Sequence, residues 1–97
     1  MPIYISLMNL TDQGVKTIKE APARIEQNIK GVEAAGGKLL SFYLTMGQYD
    51  YVAVSEWPND EAAMTYALVL GSTGNVRTAT MKAFTQEEFT AMIKNLP

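Results

Sequence analysis

Only three residues, Gly47-Gln48-Tyr49, separate two stretches rich in β-formers, Lys38 to Met46 and Asp50 to Trp57. A link that short joins strands as an antiparallel hairpin, because a parallel crossover takes a dozen residues or more. The rest of the chain must be arranged around that hairpin. Ahead of it, Ile3 to Leu10 reads as a strand, and Thr11 and Asp12 offer a helix N-cap. Val15, Ile18, Pro22, Ile25, Ile29 and Val32 then recur at helical steps, with Lys16, Glu20, Arg24, Glu26 and Lys30 on the polar side. Pro22 predicts a break in this helix and the start of a second, longer segment, which Gly36-Gly37 ends.

Beyond the hairpin, Pro58 stops the third strand and Asn59 caps a helix with Ala62, Ala63, Tyr66, Ala67 and Leu70 on its inner face. Gly71 and Gly74 are expected to end it. Val76 to Phe84 is a fourth strand, and Thr85-Gln86-Glu87-Glu88 is a capping box for a last helix through Phe89, Met92, Ile93 and Leu96. The order β-α-β-β-α-β-α predicts an α+β fold, a ferredoxin-like βαββαβ plait with an extra C-terminal helix. Its four-stranded antiparallel sheet carries two helices on one face. Residues 1–97 form one domain, without linker or repeat.

Alternation along each strand separates two sets of side chains. Ile3, Ile5, Leu7, Leu40, Phe42, Leu44, Val52, Val54, Ala79 and Met81 are all apolar and are expected under the helices. Tyr4, Ser6, Met8, Leu39, Ser41, Tyr43, Thr45, Tyr51, Ala53, Ser55, Trp57, Thr78, Thr80 and Lys82 form a mixed set, expected on the open face. Aromatic side chains exposed together mark an interaction surface. Two such sheets stacked face to face make a dimeric α/β barrel, so a homodimer or higher oligomer is expected. Its interior is either a solid core or a hydroxyl-lined pocket for a small molecule.

The chain lacks Cys and His, which removes thiol and imidazole chemistry and the metal sites built on them. No cofactor or metal is expected; Asp60-Glu61 and Glu87-Glu88 sit in first helical turns, where acids favour the helix dipole. Eight basic against ten acidic residues leave a net charge of −2 and argue against nucleic acid and anionic membranes as partners. Tyr4 and Tyr51 mimic an RNA-stacking platform, but Asp50-Tyr51-Val52-Ala53-Val54 lacks the basic, glycine-containing motif of that fold. Met1-Pro2-Ile3 has no basic leader segment, and no apolar run approaches the ~20 residues of a membrane span, so a cytoplasmic protein is expected.

Gly47-Gln48-Tyr49-Asp50, following Ser41 to Met46, resembles the G-x-Y-D signature of the GYD-domain family. Leu70 to Thr78, with Gly74, Asn75, Arg77 and Thr78, resembles that family's second typical stretch, and the similarity runs from Tyr4 to Phe89. The resemblance implies a small bacterial or archaeal protein of the dimeric α/β-barrel superfamily, in a family without an established function. Trp57 stands where a small residue is expected in the family, so its ring should shrink or reshape any cavity.

The candidate ligand-binding residues are Tyr4, Tyr43, Asp50 and Arg77. Asp50 is either a carboxylate bonding the turn or a base at the barrel mouth. Arg77 pairs with Asp50, binds a substrate carboxylate, or stays in a solvated or intersubunit ion pair. Two functions follow as expectations: a homo-oligomeric small-molecule-binding protein, or a cofactor-free enzyme for proton transfer, isomerisation or oxygenation using Asp50, Glu56 or a tyrosine.

Overall fold

The computed structural model describes residues 1–97. Strand β1 (Ile3–Leu10) leads through helix α1 (Asp12–Lys16) and a 3₁₀ turn (Ile18–Glu20) into α2 (Ala21–Ala34). Strands β2 (Lys38–Leu44) and β3 (Tyr51–Glu56) form the hairpin, followed by α3 (Asp60–Ser72), β4 (Val76–Ala83) and α4 (Gln86–Lys94). The sheet order is β2-β3-β1-β4 with every neighbouring pair antiparallel. This is the expected α+β plait.

The local signals account for the element ends. Thr11 Oγ1 accepts from Gly14 N, Asn59 Oδ1 accepts from Ala62 N, and Thr85 and Glu88 close a reciprocal capping box. Pro22 lies in the first turn of α2, where its missing N–H costs nothing. Gly47, at φ +99°, turns the hairpin as only glycine does easily. Gly71 departs from expectation: it lies inside α3, which runs on to Ser72.

The two faces of the sheet are the reverse of those expected. Tyr4, Met8, Tyr51, Ala53, Ser55 and Trp57, all from the mixed set, are the buried strand-side residues; Tyr4 and Trp57 pack with Val32 of α2 and Ala63 of α3, and Met8, Tyr51 and Ala53 form a second cluster. Most of the aliphatic set is on the uncovered face, except Phe42 and Leu44, which lie opposite Ala53 and Tyr51 on the helix side. Ile3, Ile5 and Leu7 pair across to Glu56, Val54 and Val52 on one side and to Ala83, Met81 and Ala79 on the other, and no helix packs over them. Alternation divides a strand into two faces without saying which one the helices take. Here the helices take the face where small Ala53, Ser55 and Ser6 permit close approach and bulky rings fill the ends. A bulge between Leu39 and Ser41 also breaks the alternation in β2. It puts Phe42 opposite Ala53 on the helix side and Tyr43 opposite Val52 on the open side.

Candidate functional site

Both signature stretches fold onto one point, the junction between β1 and α1. The Asp50 carboxylate accepts a hydrogen bond from Leu10 N at 2.8 Å, and Asp50 N donates to Met8 O at 2.9 Å. Thr45 Oγ1 donates to Tyr49 O at 2.6 Å, closing the hairpin loop. On the other side, Thr11 N donates to Asn75 O at 3.0 Å and Thr11 Oγ1 to Gly74 O. Gln13 Nε2 reaches Asn75 Oδ1 at 3.0 Å. Gly14 is buried here because a Cβ would lie 2.2 Å from Asn75 O. The motifs thus fasten β3 and β4 to the end of β1. Asp50 bonds backbone, as in the turn-bonding reading of the sequence, although its acceptor role serves the neighbouring strand rather than its own loop.

Between helices and sheet lies a partly open cavity of about 100 Å³, mostly apolar, bounded by Ile29 and Val32 of α2, Ala67 and Leu70 of α3, and Tyr51 and Trp57 of the sheet. Several of its polar groups are already paired. Ser6 and Thr80 hydroxyls meet at 3.0 Å, Trp57 Nε1 donates to Ser55 Oγ at 3.1 Å, and Tyr66 Oη donates to Asn28 O at 3.0 Å. Trp57 is 3% exposed, its ring 5.3 Å from that of Tyr66. Glycines make room for both rings: a Cβ on Gly37 would come within 2.7 Å of Trp57, and one on Gly31 within 2.6 Å of the Tyr66 hydroxyl. The Trp57 ring therefore walls the cavity without filling it.

At the outer end of the same face, Tyr4 Oη donates to the Asp60 carboxylate, which also pairs with Lys82 Nζ at 3.5 Å. Removal from water and the adjacent carboxylate push the Tyr4 phenol up to about 12. The hydrogen bond from Tyr4, and then Lys82, hold Asp60 below its usual value despite partial desolvation. This set latches the start of α3 to the sheet.

The four candidate residues are not brought together within one chain. Tyr4 is buried under α3, Tyr43 is 61% exposed on the open face, Asp50 is tied to Leu10, and Arg77 is exposed opposite Asn9 with no ion pair. Sequence reasoning also missed the outer side of α3, where Met64, Leu68 and Val69 are about half exposed or more. The signal was present in the apolar residues on both sides of that helix, a pattern of helices with neighbours on both sides. No group of His, Cys, Asp and Glu is arranged to hold a metal ion, and no helix is long and apolar enough to cross a membrane.

A covered, internally paired face and an uncovered aliphatic one define a small α+β plait with two unused apolar surfaces, the open sheet and the back of α3. The GYD-domain family model matches residues 4–93, and the chain belongs to that family. It is also similar to a Thermus thermophilus protein named glutamine synthetase and cystathionine beta-lyase binding protein. The two are 34% identical over 96 residues, covering 97% of this chain and the whole of the relative.

Proposed function

We propose that this protein is a self-associating accessory protein that docks a client enzyme rather than carrying out chemistry of its own. The observation that carries the reading is full-length similarity to a relative named for binding two enzymes. The structure supplies surfaces for both activities. The open sheet face, with Ile5, Leu7, Val52, Val54 and Met81 at its centre, is suited to a second copy, because an aliphatic face without charge at its middle is the composition of a permanent interface. Two sheets meeting there form the dimeric barrel. The back of α3, bearing Met64, Leu68 and Val69 on the helix side away from that stack, is then left for the client.

Titration calorimetry with glutamine synthetase and with cystathionine β-lyase of the same source organism tests this. Binding of either enzyme, lost in Leu68→Glu while the oligomer persists, is the expected result. No binding of either, or binding indifferent to Leu68→Glu, contradicts the reading.

The helix–sheet cavity favours one second reading, a small apolar ligand with a single polar group, placed by the Ser6–Thr80 hydroxyl pair. Phenol titrated by NMR should shift Ser6 and Thr80 amide signals, and Ala53→Leu should abolish the shifts. The enzymatic alternative has less support, because the Asp50 carboxylate is already engaged by Leu10 N.

A further inference from the structure

Helix α4 is a finished helix with nothing to pack on. Its capping box is complete, yet every residue from Phe84 to Pro97 is exposed, and no other element packs extensively against it. Phe89, Met92, Ile93 and Leu96 fall at helical steps on one side, exposed by 58%, 45%, 50% and 65%. A stripe of this kind forms a stable helix only when something covers it. The shape agrees: the radius of gyration is 14.9 Å and the longest dimension 53 Å, whereas a compact chain of this length has about 12.5 Å.

We infer that α4 is an exchanged arm, each copy laying its Phe89/Met92/Ile93 stripe against strand β2 of a second copy. The inference rests on the self-association proposed above and adds the part that the sheet face does not supply. Four strands about 4.8 Å apart and roughly 20–26 Å long give a face of about 300–500 Å² in projection. A stable dimer buries roughly 800 Å² per partner, so the sheet face by itself sits at the low end and two arms close the gap. Topology selects the receiver. Strands β4 and β2 are the opposite edges of the sheet. In a two-fold face-to-face stack with its axis near the strand direction, the β4 edge of each copy lies over the β2 edge of the other. The arm continues directly from β4, and on the open face β2 presents Leu40, at the bulge, and Tyr43, opposite Val52, with exposures of 43% and 61%. Apolar side chains are thus exposed at both ends of the proposed contact.

The natural chain has no cysteine, so introduced thiols report without background. Separately purified Phe89→Cys is mixed with Leu40→Cys or Tyr43→Cys and oxidised. A mixed disulfide with either places the arm on the second copy; with neither, the inference fails. In parallel, Phe89→Asp/Ile93→Asp in the full chain should weaken dimerisation at least tenfold by sedimentation equilibrium, with unchanged thermal unfolding of the isolated protomer. Unchanged dimerisation overturns the arm while leaving the stacked sheets intact. A wild-type chain that is monomeric overturns both.

Discussion

Ala53 and Val54 are neighbours in the chain and lie on opposite faces of one sheet, and their surroundings are opposite in kind. Ala53 is buried with Tyr51 and Met8, near hydroxyl and amide groups that each have a partner. Val54 sits between Ile5 and Ser41 with no helix above it and no polar contact to satisfy. The difference teaches that burial within this chain is not apportioned by apolarity. The helix-covered face tolerates Ser, Thr and Tyr because Ser6 pairs with Thr80 and Ser55 with Trp57 within the sheet layer, while Tyr4 finds Asp60 at the start of α3. The open face is mostly aliphatic at its middle, with Ser41 and Tyr43 along the β2 edge, a composition that needs a cover and few partners.

Among truncations on the covered face the largest effect is expected of Trp57→Ala, which removes a ring from the larger buried cluster. Such truncations cost about 3–5 kcal/mol, and urea unfolding should show a loss in that range. A variant within 1 kcal/mol of wild type would mean that the Gly37–Trp57 contact is not a keystone of that face.

Asp50→Ala addresses the junction of the two motifs. It strips the part-buried Leu10 N of its acceptor, which costs about 1 kcal/mol, the low end for a donor left unpaired. Stability should fall by that amount, with the oligomer retained. Asp50→Asn, which keeps an acceptor oxygen, should lose less. Loss of client or ligand binding at unchanged stability would instead make the carboxylate a binding group.

The smallest effect concerns the latch at Tyr4. Its folded phenol holds its proton to about 12, above the ordinary tyrosine value near 10. The folded state therefore binds more protons than the unfolded state between those values, and stability present below pH 10 is lost as pH rises toward 12. Tyr66, raised by burial, acts in the same direction. Asp60 has the opposite sign: its depressed folded value contributes stability above about pH 4 that is lost on acidification. Tyr4→Phe should flatten both the alkaline and the acid limbs of a melting-temperature profile. Identical profiles would remove the latch from the account.

The elements were legible because each has its own local signal: the Gly47 turn, the Thr11, Asn59 and Thr85 caps, Pro22 in a first turn, and alternation in β1 and β3. The assignment of faces was not legible from apolarity. The aliphatic set looked like a core because an uncovered face of this composition reads the same in sequence as one under a helix layer. The bulge beside Leu40 has no glycine or proline to announce it, so Tyr43 was grouped with Tyr4 although the strand carries them to opposite faces. Of the candidate site, the sequence indicated that the Asp50 carboxylate could bond backbone, but not that its partner is Leu10 N on the neighbouring strand. The Ser6–Thr80 and Trp57–Ser55 pairs depend on strands far apart in the chain and became visible only with the register known.

The central claim is that the uncovered aliphatic face joins two copies, and sedimentation equilibrium of Val54→Glu beside Ala53→Glu at micromolar concentration tests it most directly. The account predicts a dimeric wild type, a folded monomer for Val54→Glu by circular dichroism, and an unfolded chain for Ala53→Glu. A monomeric wild type, or a Val54→Glu variant that remains dimeric, would contradict it.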